Sequence, residues 1–537
     1  MRTAQEVLDR LAILATEKAA YESEWRQIGE VLHPRRADVG RRGLQPGRTN
    51  TRKIYDSAPL YAVDNFASGL YGMLTSPANQ WFELMVGDPE DDLGQFGPVR
   101  EWRELVTRRT ALSMAPAHAM FYAHMPALYA DEACFGNAVF YSEQRPGSGL
   151  IRDTARSLGE CYAAVDQFGR VDTVYREFQW TTRQILQRFQ DGAPAQVKAK
   201  EKSDPDDKTW IVHAVEPEGE GSGPTVRFPY ASIYVHKDTT HVMERGGFEE
   251  LPYQWLRWHV GANEVYGRGP GELAKADVQS LHASRKTNLK AANYAADPAL
   301  AAGRAADFGG RQVVMAPGKV IHGGVSQEGK RMLEPIHTGA NLPLSVEFAR
   351  EIRNAVNDAF YFSLLQMVGG PAMTATEWLG RQEERLRMLA PFLGRMEAEF
   401  LSPMIKRRVG MLWRAGQLPP PPEEMRGVPL SVHFSSPLAQ LQRTQDGAAA
   451  MRTRDALAAG AELDPRVLDR FDADAYAEKV DGAYGGDILI SREEAEERRD
   501  AREQAQQAQA LAESAQPAAA AVRDLAGVTD TGGSRGR

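Results

Sequence analysis

Residues 343–415 carry two long helical patterns divided by a Gly-Gly-Pro break, and this pairing limits the architecture more than any other stretch. From about Pro343 to Met367, the residues Val346, Ile352, Val356, Phe360 and Leu364 fall along one side. From Thr374 to about Ala415, Leu386, Leu389, Leu393, Met396, Phe400, Met404, Val409 and Leu412 give a second apolar face. Unbroken, that second helix would reach ~60 Å at about 1.5 Å per residue, long for an ordinary domain. Pro391 and Pro403 predict kinks in it, and Gly416 predicts its stop. Between the two, Gly369 and Gly370 open backbone angles closed to other residues, and Pro371 cannot continue a helix from them. Thr374 with Glu377 forms a capping box that restarts the helix.

A third long helix is expected over 271–296, "GELAKADVQSLHASRKTNLKAANYAA", rich in alanine and poor in large apolar side chains. Such a helix cannot anchor a core alone, but its small residues permit close packing on neighbouring helices. Earlier helices are predicted over 3–32, from Asp56 to about Leu74, over Pro98–Ser113 and over about His118–Phe135. "CYAAVDQFGRVDTVYREFQW" reads as two strands around a turn at Asp166–Gly169, and "TWIVHAV", "TVRFPYASIYVHK" and "YQWLRWHV" add further strands. The segment 298–340 is irregular, with a strand-like "RQVVMAPGKVI". "LPPPPEE" (418–424) is a stiff linker, and a smaller helical region follows over about 437–480. In the tail, Ala501, Ala505, Ala508, Ala512, Ala515 and Ala519 form a short heptad-like seam, beside a composition that also suits disorder. The fold class is α+β and mainly helical, with about two to four domains at this length.

The balance of charge restricts partners. A net charge of −8 and a pI near 5.9 exclude general phosphate neutralisation across the surface. Any contact with DNA must be local. No apolar run is long enough to span a bilayer, so a soluble, unsecreted protein with no membrane partner is expected. Cys134 and Cys161 form no CxxC pair and read as buried structural thiols.

The search for catalytic chemistry is mostly negative. Gly318-Lys319 and Gly329-Lys330 lack the glycine spacing and the Ser/Thr of a P-loop. Gly267-Arg268-Gly269-Pro270-Gly271 has the wrong spacing for a dinucleotide loop and reads as a turn that aims a helix. The pairs His118/His124 and His236/His241 do not fit metal-ligand spacing, and Ser148 lacks a nucleophile elbow. Asp204, Asp206 and Asp207 sit in a polar loop and read as a solvated charge run. No cofactor, metal or catalytic residue is assigned. The basic loop 33–53, with Arg35, Arg36, Arg41, Arg42, Arg48, Arg52 and Lys53, could contact phosphates but reads first as solvated or as a subunit contact.

Five fragments, taken in order, carry a more specific signal: "WRQIGEVLHPRRAD", "TRKIYDSAPLYAVDNFASGLYGMLTSPANQWFEL", "GNAVFY", "RWHVGANEVYGRGPGELAKADVQSLH" and "AADPALAA". Together they resemble the head-to-tail connector (portal) proteins of short-tailed bacteriophages, from about residue 20 to 440, with 441–537 matching least. The resemblance implies a ring of twelve subunits at one capsid vertex, conducting double-stranded DNA during packaging and ejection. It implies partners: further copies of itself, the major capsid protein, the scaffolding protein, the large terminase subunit and a tail adaptor protein. It also implies a virion component that passes through the host cytoplasm during assembly.

Mapped onto this chain, the resemblance gives a wing over 1–270, a stem of paired helices over 271–297 and 343–366, and a clip over 298–342. A channel loop at 367–373, a long kinked helix returning to the wing over 374–436, a crown over 437–490 and the tail 491–537 complete it. The channel loop with its leading residue, Gln366, Met367, Val368, Gly369, Gly370, Pro371, Ala372 and Met373, would face DNA. Arg285, Lys286 and Lys290 would line the stem lumen, and Arg311, Lys319, Lys330 and Arg331 would meet partners at the clip. Two other classes stand beside this reading. One is a non-viral cytosolic helical interaction protein; the other is an unrecognised metal-dependent enzyme using the acidic clusters.

Overall fold

Thr3 opens the first helix with a capping box: its hydroxyl accepts from the Glu6 amide at 3.3 Å, and the Glu6 carboxylate accepts from the Thr3 amide at 2.7 Å. This is α1 (Ala4–Leu32), followed by α2 (Ala58–Leu74), β1 (Phe82–Val86), α3 (Gly97–Ser113) and α4 (Phe121–Phe135). Then come β2 (Asn137–Gln144), β3 (Ile151–Arg156), β4 (Cys161–Val165), β5 (Val171–Thr181), α5 (Thr182–Phe189), α6 (Ala195–Ala199) and β6 (Lys208–Pro217). β7 (Tyr230–His236), β8 (His241–Phe248) and β9 (Tyr253–Arg257) lead into α7 (Pro270–Ala296). β10 (Leu300–Ala302), β11 (Leu333–Pro335), α8 (Leu342–Ala359), α9 (Ser402–Arg414), β12 (Leu430–Phe434), α10 (Pro437–Ala461) and α11 (Ala473–Tyr484) complete the order. The computed structural model describes residues 2–36, 39, 51–87, 96–144 without 116 and 118, 150–218, 228–302, 318, 320–336 without 327, 342–362, 388–434 and, with short interruptions, 437–507. Two units are distinguished, one of residues 1–94 and 101–436, the other of 95–100 and 437–537.

In the first unit, β4 to β8 form a five-stranded antiparallel meander in sequence order. Alternation along the strands splits its side chains between two faces. Val212, Ala214, Ile233 and Val235 pack under Val7, Leu11 and Leu14 of α1. Ile211, Tyr234 and Met243 point the other way, against Ile185, Phe189 and Val197 of α5 and α6. Each fully buried aliphatic side chain here contributes about 1.5–3 kcal/mol. A second sheet, ordered β3-β2-β9, meets the first through His213, which bonds Tyr253 (2.8 Å) and Ser232 (3.0 Å) and stacks on Tyr234 at 3.9 Å. β1 and β12 pair from opposite ends of the unit, Leu84 opposite Val432. In the second unit, α10 and α11 pack together, and Arg499 pairs with Asp474.

Several expectations need adjustment. α4 starts at Phe121 rather than His118, because Met120 takes a left-handed backbone (φ 64°). α8 is interrupted after Ala359: Tyr361 has φ 53°, and Phe360 and Tyr361 turn into an aromatic cluster with Phe66, Trp258 and Phe392, while Phe362 is helical again and 363–367 lie outside the described residues. The long helix is described from residue 388 and carries a π-helical turn, Glu397–Leu401, just before Pro403. It stops at Gly416 (φ 68°), as the sequence predicts. The proline stretch is packed rather than free: Leu418 and Met425 are buried, and the Trp102 indole donates to the Pro419 carbonyl at 3.0 Å. β2, β3, β8, the helices α5 and α6 and the pairs β1–β12 and β10–β11 have no counterpart in the sequence reading. The strand-like 311–317 falls outside the described residues.

Candidate functional site

The fragments "GNAVFY" and "YGRGPG" come together at the start of α7, and glycine makes the meeting possible. A Cβ on Gly269 would lie 2.5 Å from the Gly136 amide nitrogen, and one on Gly271 would lie 2.5 Å from the Cys134 carbonyl oxygen. Gly136 itself ends α4 in the left-handed region (φ 66°). Buried Asn137 locks the crossing. Its Nδ2 donates to the carbonyls of Phe135 (2.9 Å) and Gly267 (2.7 Å), and its Oδ1 accepts from the Gly267 amide (2.8 Å) and the Trp255 indole (3.2 Å). All four amide positions are therefore used. The backbone is aimed so that α7 leaves between α1 and α4, with Ala274, Val278 and Leu281 buried.

About three turns further along α7, "IYDS" meets "SLH". His282 of α7 accepts at Nδ1 from the amides of Tyr55 (3.2 Å) and Asp56 (3.3 Å), so its proton is on Nε2, which faces the Val31 carbonyl at 3.3 Å. Burial lowers its pKa, which keeps the ring neutral in this role. Asp56 takes the Arg353 guanidinium of α8 at 2.6 Å and the Ala58 amide at 3.0 Å. Burial acts to raise this carboxyl, but the Arg353 and Ala58 hydrogen bonds and the charges of Arg353 and Arg285 hold it below its ordinary value. Asn288 and Ser345 then tie α7 to α8, with the Ser345 hydroxyl donating to Asn288 Oδ1 at 2.7 Å.

The basic residues of α7 separate by role. Arg285 is half-buried on the Asp56 side, while Lys286 and Lys290 are exposed one turn apart. The Lys286 ammonium lies 5.4 Å from the Tyr55 ring centre. Lys330 ends a tight turn whose Ser326 amide donates to the Lys330 carbonyl at 2.8 Å, and neighbouring Arg331 bridges Val325; both side chains are exposed. Arg311, Lys319 and Met367 through Met373 lie outside the described residues, as does Gln366. So do His118, Ser148, Arg41, Arg42 and Arg48. Near the basic loop, Arg36 pairs with Asp131 at 3.3 Å and Lys53 with Glu30 at 2.5 Å. Asp207 pairs with Lys200 at 2.6 Å, and His236 and His241 bond Thr239 and Gly192 separately. Among the described residues, no group of three or more His, Cys, Asp or Glu side chains is placed to hold a metal, and no helix is long and apolar enough to cross a membrane. Cys134 and Cys161 are both buried and free.

Three buried arginines fasten the long helix to the sheets, and sequence reasoning missed them all. Arg257 of β9 makes two 2.8 Å bonds to Glu399 in the π turn and reaches the carbonyls of Val265 (3.0 Å) and Gly169 (2.7 Å). Arg407 donates to the Ser142 and Glu250 carbonyls. Arg408 pairs with Asp153, which also accepts from the Ser142 hydroxyl at 2.7 Å. For Arg407 and Arg408 the only available signal was their place on an otherwise apolar helical face; Arg257 closes a strand and carried none. These contacts hold and orient backbone; none presents a nucleophile or a general base to an open cleft.

This is a scaffold that fixes two long, partly exposed helices against a mixed α/β body. The chain belongs to the bacteriophage head to tail connecting protein family, which it matches over residues 4–489. The match runs well past residue 440, where the sequence resemblance fades. It is 30% identical to the "Probable portal protein" of Bordetella phage BPP-1 over 90% of this chain and 87% of that protein. It is 29% identical to the "Portal protein" of Salmonella phage epsilon15 over 88% of this chain and 85% of that one. A chain from the neck of an empty GTA particle computed with C6 symmetry superposes at a TM-score of 0.35 and 12% identity, over 76% of this chain and 91% of its own.

Proposed function

We propose that this protein is a phage portal subunit, forming a ring of twelve copies at one capsid vertex. The observation that carries the reading is the family match across residues 4–489, joined to two portal relatives aligned along nearly the whole chain. The ring conducts double-stranded DNA during packaging and ejection, docks the large terminase subunit at the clip, and later receives the tail adaptor protein. The scaffolding protein and the major capsid protein meet it during head assembly. ATP hydrolysis belongs to the terminase, and this chain supplies geometry rather than catalysis.

Within the ring, 1–270 is the wing, 271–297 and 343–366 the stem, 298–342 the clip, 374–436 the return to the wing and 437–490 the crown. α7 supports a subunit contact along the stem: Leu273, Leu289 and Tyr294 are exposed along it, and after Asn288 it carries no buried residue. Lys286 and Lys290 share an exposed face, which favours a local basic ring in the channel. The loop Gln366–Met373 carries no charge, and this suits passage. A duplex carries one charge per ~1.7 Å, so twelve cationic loops would grip it.

Negative-stain electron microscopy of the purified chain at several concentrations tests the reading. Rings with a central hole are expected. Small particles alone, even with scaffolding protein added, would overturn it.

A further inference from the structure

β12 is one of only two strands in its sheet, and among the described residues the ladder edge away from β1 is unpaired. On one face of that strand lies an apolar cavity of about 340 Å³, closed on its other sides by α3, α9 and the proline stretch. Trp102, Val409, Trp413, Leu418, Met425 and Val432 line it. Trp413 is 46% exposed, a large ring left at the mouth. Lys406 is the one cation in the lining, exposed and without an acidic partner among the described residues.

We propose that this groove binds an extended peptide segment of a partner protein, apolar at alternate positions and carrying an acidic residue that meets Lys406. Three features select that occupant. An unpaired strand edge offers amides and carbonyls at strand spacing, which an extended chain satisfies. A strand added there places alternate side chains on the face that Leu430 and Val432 already present to the cavity. The volume matches that of ligand pockets, and the unpaired ammonium calls for a carboxylate. A two-stranded ribbon is also marginal by itself, so a third strand would stabilise it. The groove is lined by Leu84, Trp102 and residues between Lys406 and Val432, and the proposal does not depend on the number of subunits in a ring.

The test uses a displayed library of random short peptides selected on the immobilised full chain, with binders synthesised and titrated by fluorescence anisotropy. Selected peptides are expected to alternate apolar residues and to include Asp or Glu. Trp413→Ala, at a half-exposed position, is expected to weaken binding about tenfold, as a central aromatic anchor does. Lys406→Gln is expected to weaken it severalfold and to abolish the preference for an acid. N-methylation of alternate peptide amides is expected to remove binding without touching the protein. Peptides that bind equally well to both variants, or that tolerate N-methylation at every position, overturn the proposal. So does a selection that yields no common pattern.

Discussion

Glu132 is fully buried in α4, and neither of its carboxyl oxygens has a hydrogen-bond partner among the described residues. Burial pushes its pKa well above the ordinary 4.5, so the folded protein keeps the proton where the unfolded chain releases it. From about pH 4.5 upward the native state binds more protons, and stability falls as pH rises through that window. Glu132→Gln, which keeps the shape and removes the ionisation, is therefore expected to stabilise the protein at about pH 8 and to lose that gain near pH 4. Urea midpoints at the two pH values measure this, and a gain independent of pH would contradict it. His213 acts at the other end. Burial, reinforced by Arg176, Arg156 and Arg188, holds the ring well below its ordinary 6.5, so stability falls as pH drops below that value and the unfolded chain takes up the proton. Neither group was distinguishable in the sequence. Each is an ordinary residue in an ordinary pattern, and only the absence of water around it changes its chemistry.

Among elements, the crossing of α4 and α7 depends on atoms that are missing. Gly269→Ala is expected to cost about 1–3 kcal/mol, because its Cβ would meet backbone, which cannot yield as a side chain does. Gly72→Ala is the counterpart: Gly72 lies in α2 with nothing within 4 Å of an added Cβ, and the change is expected to gain about 0.5–1 kcal/mol. Chemical denaturation of both variants separates the steric effect from the conformational one. Arg257 and Glu399 form a second such joint, from strand to π turn. Arg257→Met alone leaves Glu399 without that partner and is expected to cost about 3–5 kcal/mol, with partial recovery when Glu399→Leu is added. A double variant no better than the single one would place the energy in the Val265 and Gly169 contacts instead. The glycine cluster was visible in the sequence as a turn that aims a helix. Its partner at Gly136-Asn137 was not, since the two are separated by 130 residues.

At the scale of the whole molecule, the family match ends at residue 489, just before the Ala/Gln-rich tail. On the proposed ring reading, a chain truncated after Ile490 is expected to form rings by electron microscopy; rings from the full chain but not from the truncated one would make the tail part of the assembly. Replacing Gly369 and Gly370 by alanine is expected to leave the rings intact and to impair DNA packaging or retention in an infection assay. Unchanged packaging would remove the loop's flexibility from the function.

Local order was legible from periodicity and breakers. α1, α2, α3, α7 and the β4–β7 strands follow from spacing, caps and turns, because those signals act over a few residues. The ordered fragments carried the family resemblance, and Gly136, Asn137 and Gly269 within them meet at one backbone crossing. What no local pattern contains is which distant segments meet. The β1–β12 pair, the end of α8 in an aromatic cluster, the π turn at Glu399 and the groove beside Trp413 each arise from contacts between parts of the chain far apart in sequence. Their energies come from burial and from partners that exist only once the chain has folded.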